Sequence, residues 1–446
     1  MTGHGTPWAA TGHESSRPRL RGRRRCDVAV IGAGLTGLST AVELLTLDPG
    51  RDVVVLEADH VAAGASGRGT GLLGPRIGPA LTVARKRYGD TVARAAHLWS
   101  HAAVRHVLDL VEEHRIACDL TPGSQLIVAP DEQAATAHHQ EHEAAQSLGL
   151  PVEFVPRQEL PQHADHYHSG LRHGPAATLD PAALTEQLAG AGERLGLTIH
   201  ERSPVRRITP GLLPTVVTDD GELTADHVVI AVNAFGTSLA AAPRGVLGVR
   251  VQAAVTEKLR QPQLDALHGL RTEPLIGHGE LTPYFRLTPD DRLVIGGGAI
   301  ERGSYGAAAP APGRLRAAAR ALSPALADIE LDSAWAGPIG VTRDGLPTVG
   351  HHPAAPWVHH AGGCNGHGLA VTVYSGALLA RRIADPDARP PALPWLRKNA
   401  PWLPRGALTN HALDRYLAHL TAASARQPYR PHRHPGQTTA GRTGSA

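Results

Sequence analysis

The chain has 446 residues, enough for two or three domains around a large buried core. Apolar residues make up 42% of it and charged residues 19%, which excludes a disordered or fibrous protein. Because 44 Lys and Arg balance 41 Asp and Glu, the net charge of +3 does not indicate a nucleic-acid partner. No apolar run approaches the roughly 20 residues that span a bilayer. The three widely spaced cysteines, Cys26, Cys118 and Cys364, are typical of a cytoplasmic protein rather than of a disulfide framework.

Polar segments flank the patterned part of the chain. Residues 1–25 end in a run of arginines. We interpret them as a disordered basic tail rather than a twin-arginine export signal, because no cleavage site follows. A C-terminal helix is predicted over 401–420 and a second disordered tail over 421–446. Between the tails, β-branched runs alternate with helical patterns, which favours an α/β architecture. Helices are predicted over 90–114, 181–195 and 313–322.

The first patterned segment is typical of a dinucleotide-binding unit. An apolar strand, Asp27–Ile31, leads directly into Gly32-Ala-Gly-Leu-Thr-Gly37 and then into a helical run. In such a turn the first glycine permits the tight bend, the second lets the backbone approach a pyrophosphate, and the third lets the helix pack closely. A second strand, Val53–Leu56, ends in Glu57 at the spacing expected for a carboxylate that binds ribose hydroxyls. This carboxylate argues against NADP.

Four later segments decide which dinucleotide is expected. They are a small-residue loop over Ala63–Gly71, a hairpin and buried strand over Val216–Ala234, a Thr-Arg-Asp-Gly-Leu-Pro motif over Thr342–Pro347, and a glycine-rich turn over Gly362–Gly368. Together with the first unit they resemble the D-amino-acid oxidase superfamily of FAD enzymes, which includes glycine oxidase, sarcosine oxidase and gamma-glutamylputrescine oxidase. The resemblance covers about residues 26–420. Its Gly-Ala-Ser-Gly-Arg and Asn-Gly-His-Gly motifs look most like the gamma-glutamylputrescine oxidase branch.

The resemblance implies a two-domain α/β fold. A Rossmann-type FAD-binding domain would be assembled from residues 26–80, 150–240 and 335–400. An antiparallel-sheet substrate domain would take residues 81–149 and 241–334.

The resemblance also implies where FAD binds. The adenine would lie near Glu57 and Val205, the pyrophosphate on Gly32–Gly37, and the flavin ring near Ser66–Thr70. A helix that begins at Gly366–Gly368 would face the pyrimidine end of the ring, where its N-terminus stabilises negative charge. The implied cofactor-binding residues are Gly32, Ala33, Gly34, Leu35, Thr36, Gly37, Glu57, Ala58, Gly64, Ser66, Gly67, Arg68, Gly69, Thr70, Val205, Asn233, Ala234, Gly337, Asn365, Gly366, His367 and Gly368.

The chemistry that the resemblance implies is oxidation of a C–N bond in an amine or amino acid. Hydride passes to flavin N5, the product is an imine, and O2 or another acceptor reoxidises the flavin. Gly337 and Arg68 stand about where other members carry a Cys or a His that binds flavin covalently, so non-covalent FAD is expected. Val294 and Ala370 replace two lysines of sarcosine oxidase-like members. A sarcosine-type substrate and fast reaction with O2 are therefore not expected.

Candidate substrate residues are fewer. The residues predicted to be catalytic are His367, Arg68, Tyr284 and Arg302. A substrate carboxylate could be held by Arg85, Arg286 or Arg302, because a guanidinium binds a carboxylate through two hydrogen bonds. The sequence does not choose among these three.

No metal site is predicted, because His138 and His142 lack a third ligand at a suitable spacing. Two alternatives to an oxidase stay open. One is an FAD dehydrogenase that passes electrons to an acceptor other than O2, and the other is a catalytically silent flavin-binding relative.

Overall fold

A computed structural model describes residues 6–8, 17–209, 213–239, 242–279, 281–303, 309, 311–387, 393–401 and 407–426. The strands are β1 (Gly22–Ile31), β2 (Val53–Leu56), β3 (Leu72–Leu73), β4 (Thr121–Ala129), β5 (Val152–Pro156), β6 (Ser169–Thr178), β7 (Thr198–His200), β8 (Arg207–Thr209), β9 (Thr215–Val217), β10 (Gly221–Ile230), β11 (Leu247–Lys258), β12 (Leu275–Gly277), β13 (Tyr284–Leu287), β14 (Arg292–Arg302), β15 (Leu331–Val341), β16 (Thr348–His352) and β17 (Ala355–Gly362). The helices are α1 (Leu35–Leu47), α2 (Leu81–Tyr88), α3 (Asp90–Glu113), α4 (Glu132–Ser147), α5 (Pro181–Arg194), α6 (Gln261–Leu267), α7 (Pro312–Leu322), α8 (Gly368–Ala384) and α9 (Ala407–Arg426).

The first sheet carries the predicted dinucleotide-binding unit. Its order is β16-β17-β10-β1-β2-β7, and β9 and β8 extend it beside β10. Strands β1, β2, β7, β10 and β17 run parallel. Successive residues of β1 point to opposite faces of the sheet, and both faces are buried. Val28 and Val30 belong to one apolar cluster, and Ala29 and Ile31 belong to the other. Such burial on both sides is what a parallel sheet between two layers requires.

Helices α1, α3, α5 and α8 cover one face of this sheet. Gly376 lets α8 cross α1 closely, since a Cβ there would lie 2.7 Å from the Thr36 carbonyl oxygen. Helix α3 joins the same core through Trp99, whose ring lies 5.1 Å from that of Tyr374. The helix predicted over 90–114 is confirmed as α3, and its apolar face, which was expected in the substrate domain, packs on α8.

The second sheet is mostly antiparallel, in the order β15-β11-β14-β13-β12-β4-β6-β3, with β5 beside β6. Its outer face packs on α6 and α7 through a cluster that includes Phe285 and Leu293. The two-domain α/β fold with an antiparallel second sheet is therefore confirmed. Strands β5, β6 and β15 lie wholly or partly in the segments expected for the FAD-binding domain, over 150–240 and 335–400, but they form hydrogen bonds within this second sheet.

The predicted terminal segments also differ from the structure. Strand β1 begins at Gly22, because the arginine run pairs in register with Gly221–Ala225 on β10. Arg17 donates to Glu193 at 2.7 Å and to Glu201 at 3.1 Å, so this part of the basic segment is ordered. Helix α9 continues to Arg426, and residues 427–446 lie outside the described residues.

Within the parts of the chain that the structure describes, none of the helices is both long and apolar enough to cross a bilayer.

Candidate functional site

A cavity of about 1600 Å³ opens between the two sheets. It begins at the glycine turn between β1 and α1, passes the loop over 63–71, and reaches the turn before α8. It then extends between α3, β4, β6 and α4. All the residues predicted to bind a cofactor line this cavity, with the exception of Gly37 and Gly67.

The glycine turn is shaped for a ligand that approaches the backbone. At Gly34 a Cβ would lie 2.9 Å from the Ser66 hydroxyl oxygen, and that hydroxyl accepts a hydrogen bond from the Leu35 amide at 3.0 Å. Helix α1 begins without an N-cap side chain. Ser66 accepts its first amide, and the amide of Thr36, a residue that lines the cavity, has no hydrogen-bond partner in the described structure. Gly37 and Gly67 act in packing instead: a Cβ at either would lie within 2.2 Å of a backbone carbonyl oxygen.

Glu57 marks one end of the cavity, directly after β2. One carboxylate oxygen accepts the Ala33 amide at 2.8 Å and the other accepts the Asp59 amide at 3.0 Å. Burial raises the pKa of Glu57, although these backbone hydrogen bonds oppose the shift. Ala58 and Val205 line the same end of the cavity. The arrangement brings together the groups that were expected around an adenosine.

The turn before α8 forms the other side. Asn233 holds it, because its side-chain oxygen accepts the Gly363 amide at 2.8 Å and its amide group donates to the Cys364 sulfur at 3.4 Å. Asn365 ties the turn to the end of β15 by accepting the Thr342 amide at 2.9 Å. In the described structure, no side chain caps α8 and the amides of its first three residues have no hydrogen-bond partner. These amides line the cavity and favour a negatively charged group.

The residues predicted to be catalytic do not all reach the cavity. His367 and Tyr284 line it, and burial raises the pKa of Tyr284 and lowers that of His367 to about 3. Arg68 lines it too, but its Nε donates to the Ala63 carbonyl at 3.1 Å and so stiffens the loop. Arg302 does not line the cavity, and its side chain donates to Asp414 on α9 at 2.7 Å.

None of the three arginines proposed for a carboxylate lines the cavity. Arg85 is paired with Asp90 at 2.8 Å on the surface. Arg286 is buried, and its guanidinium donates to the carbonyls of Thr70 and Leu179 at 2.5 and 3.0 Å. Both guanidinium groups are thus already engaged by the protein.

A different set of polar residues forms the far wall of the cavity. It comprises Arg76, His97, Gln125, His138, Glu141, His173 and His278. The charge of Arg76 contributes, after burial, to lowering the pKa of His173, His278 and His367. Glu141 accepts two backbone amides at the start of α2. Sequence reasoning missed this wall because its members come from six separate segments and follow no motif.

The prediction of no metal site concerned two histidines of α4, His138 in this wall and His142 outside it. His138 bonds the Ser169 hydroxyl and the His278 ring, each at 3.1 Å. His142 bonds the Val152 carbonyl at 2.9 Å. Both rings therefore serve contacts within the protein.

Stability should fall as the solution is acidified below about pH 6.5. Burial is the main cause that lowers the pKa of twelve described histidines, seven of them to about 4 or 3. These are His97, His163 and His360, at about 4, and His138, His173, His359 and His367, at about 3. The folded protein keeps them neutral while the unfolded chain protonates them near pH 6.5, so the unfolded state binds more protons. Each of these histidines would lower the free energy of unfolding by roughly 1.4 kcal/mol per pH unit between pH 6.5 and its folded pKa.

Calorimetric melting from pH 7.5 to 4.5 checks this prediction. A melting temperature that does not change with pH over this range would contradict it.

The cavity fits FAD on the evidence of its own walls. The glycine turn would be filled by a Cβ at Gly34, the half-buried Glu57 carboxylate follows β2, and the uncapped start of α8 and the 63–71 loop line the same cavity. Fold and site together define a two-domain, Rossmann-type dinucleotide-binding protein. A family model described as DAO, FAD dependent oxidoreductase, matches residues 27–382, and the chain belongs to that family. The predicted family and cofactor are thereby confirmed.

Individual relatives agree with this assignment. The chain is 28% identical over 391 residues to gamma-glutamylputrescine oxidoreductase of Escherichia coli, covering 86% of this chain and 90% of that protein. It is 25% identical over 374 residues to glycine oxidase of Geobacillus kaustophilus, covering 80% and 92%. The crystal structure of glycine oxidase from Geobacillus kaustophilus matches the fold with a TM-score of 0.71 at 21% identity, covering 86% of this chain and 99% of that one. L-proline dehydrogenase from P. horikoshii matches with a TM-score of 0.68 at 18% identity, covering 86% and 97%.

Proposed function

We propose that this FAD-dependent oxidoreductase oxidises a C–N bond of an amine or amino acid and releases an imine, which water hydrolyses. The observation that carries the proposal is one continuous cavity. It runs from the glycine turn, past the 63–71 loop and the start of α8, to the polar wall around Arg76. A dinucleotide and a small substrate would thus share one enclosed space. Two relatives are named for amine or amino-acid substrates, gamma-glutamylputrescine and glycine.

The protein's own groups would divide the binding task. Glu57 would hold the adenosine ribose, and the glycine turn with the first amides of α1 would hold the pyrophosphate. The first amides of α8 would face the ring at the end that gains negative charge. Bound FAD supplies the hydride acceptor. The remaining work of the protein is to align the substrate C–H bond with that acceptor.

His367 and Arg76 would act on the substrate in different ways. The pKa of His367, about 3, keeps its ring neutral, so it can accept a hydrogen bond from a substrate N–H but cannot serve as a general acid near neutral pH. The charge of Arg76 disfavours an ammonium nearby and favours the neutral amine that gives up hydride. The same guanidinium would attract a substrate carboxylate. Unlike the three arginines that the sequence offered, Arg76 lines the cavity.

The substrate test is anaerobic reduction of the bound flavin, followed at its visible absorption band. The panel contains glycine, sarcosine, D- and L-amino acids, polyamines and gamma-glutamylputrescine. We expect at least one amine to bleach the holoenzyme, and the Arg302→Met variant to behave like wild type because Arg302 lies outside the cavity. If no member bleaches the flavin, the silent-relative alternative is favoured. Hydrogen peroxide formation in air separates an oxidase from a dehydrogenase.

FAD should be bound without a covalent link. Burial raises the pKa of Cys364, the thiol in the cavity wall, which keeps it protonated and unreactive, and Gly337 offers no side chain. Acid precipitation should therefore release all flavin into the supernatant, and Cys364→Ser should retain FAD as wild type does. Flavin that stays with the precipitated protein would contradict this.

A cytoplasmic location is also part of the proposal. Cys26, Cys118 and Cys364 are all buried and unpaired. Burial raises the pKa of each thiol. Free thiols of this kind are typical of proteins in a reducing compartment.

A further inference from the structure

Three consecutive carbonyl groups in the 63–71 loop are held by side chains from distant parts of the chain. The Trp335 indole donates to the Arg68 carbonyl at 2.9 Å. The Trp8 indole donates to the Gly69 carbonyl at 2.8 Å. The Arg286 Nε donates to the Thr70 carbonyl at 2.5 Å. We call Trp8, Trp335 and Arg286 the carbonyl clamp.

The members of the carbonyl clamp also contact one another. The rings of Trp8 and Trp335 meet edge to face, with centroids 6.5 Å apart and planes at 84°. The Arg286 guanidinium carbon lies 4.9 Å from the centroid of the Trp8 ring, within the range of a cation–π contact. Trp8 also packs against an apolar cluster that contains Val294. Trp8 therefore links the other two members, although it belongs to the segment that was predicted to be a disordered tail.

Arg286 depends on these neighbours. Its side chain is buried, and burial lowers its pKa to about 10. In the described structure it forms no ion pair with a carboxylate, and carbonyl oxygens and the face of an indole surround it instead. Such a cation is costly to bury unless its environment is polar and fixed. The Trp8 ring supplies part of that environment.

The carbonyl clamp determines which way the loop presents its amides. In a trans peptide the N–H points opposite to the C=O of the same unit, so holding the carbonyls of residues 68, 69 and 70 directs the amides of Gly69, Thr70 and Gly71 the other way. None of these three amides has a hydrogen-bond partner in the described residues. All three residues line the cavity. The amides are thus available as donors to a ligand there.

We propose that Trp8 is a positioning residue for the cofactor. Through the Gly69 carbonyl and the Arg286 guanidinium, it fixes the loop amides that face the flavin ring. The N-terminal segment therefore contributes to FAD affinity and to the electronic environment of the bound flavin without contacting the cavity. The inference requires only that FAD occupies the cavity, and does not depend on which substrate the enzyme oxidises.

The test compares conservative variants in the full-length protein. Trp8→Phe removes the indole N–H but keeps an aromatic ring. Trp8→Ala removes both the hydrogen bond to the Gly69 carbonyl and the ring that contacts the Arg286 guanidinium. Trp357→Phe is the matched control, because the Trp357 indole nitrogen is buried, has no hydrogen-bond partner in the described structure, and lies outside the cavity wall. Deflavinated proteins are titrated with FAD, and the visible spectrum of the bound flavin is recorded at saturation.

We expect the FAD dissociation constant to rise about 5-fold in Trp8→Phe, the effect of one lost hydrogen bond, and about 20-fold in Trp8→Ala. The flavin spectrum should change in both variants and not in Trp357→Phe. The double variant Trp8→Phe/Trp335→Phe should depart from additivity because both indoles hold one loop. If Trp8→Phe matches Trp357→Phe in affinity and spectrum, the inference is overturned while FAD binding itself stands. A wild-type protein that binds no FAD would instead overturn the proposed function.

Discussion

Replacing Gly34 with valine should leave the protein folded but unable to retain FAD. The backbone at Gly34 is extended, with φ of −88°, so a side chain causes no local strain. Its Cβ would lie 2.9 Å from the Ser66 hydroxyl oxygen, the movable end of a small side chain. The added methyl groups would occupy the turn where the pyrophosphate must approach the backbone. We expect FAD affinity to fall by roughly 100-fold. Extra methyl groups in a filled site cost up to about 3 kcal/mol, and each 1.4 kcal/mol of binding free energy is about a tenfold change in affinity.

Gly50→Val provides the matched control for this experiment. A Cβ at Gly50 would meet nothing closer than 3.8 Å, and this position lies outside the cavity. Flavin content per folded chain is measured from absorbance, and folding from circular dichroism. Full flavin content in Gly34→Val would contradict the assignment of the turn. Gly37 is unsuitable for this test, since its Cβ would lie 2.0 Å from the Gly32 carbonyl oxygen and disturb the fold itself.

Replacing Arg76 with methionine should lower kcat/KM for carboxylate-bearing substrates by about 10-fold, the cost of one hydrogen bond between charged groups at an exposed side chain. Amines without a carboxylate should be affected much less. The flavin should still bind, because the residues that are proposed to hold it lie elsewhere in the cavity. Loss of the positive charge should also raise the pKa of His173 and His367, since Arg76 is a secondary cause of their lowered values.

Arg85→Met is the appropriate control for Arg76→Met. Arg85 was one of the sequence candidates for binding a carboxylate, but it lies on the surface beside Asp90 and outside the cavity wall. Steady-state kinetics of both variants decide between the two residues. Equal losses in both variants, or a loss in Arg85→Met alone, would contradict the role given to Arg76.

The parts of the fold that follow from local sequence patterns could be predicted. The turn over Gly32–Gly37 lies between strand and helix as expected, because each glycine answers a local backbone requirement. Glu57 and the turn before α8 also line the cavity as predicted. In these cases the residues that shape the binding site are close together in the chain, so a local sequence pattern is enough to predict their position.

Features that depend on contacts between distant segments could not be predicted. The apolar face of α3 could have packed on either sheet, and only the contact of Trp99 with Tyr374 decides it. Arg302 lies on a long strand of the second sheet, and the Asp414 side chain that engages it belongs to the C-terminal helix. Trp8 shows the same limitation, since its donor reaches a carbonyl 61 residues away. A single basic or aromatic residue in a polar segment carries no local sign of such contacts.

Reconstitution of the deflavinated full-length protein with FAD, followed by flavin absorption and fluorescence, tests the FAD site itself. We expect saturable binding of one FAD per chain, with a visible spectrum distinct from that of free FAD. A folded protein that stays colourless in excess FAD would contradict it.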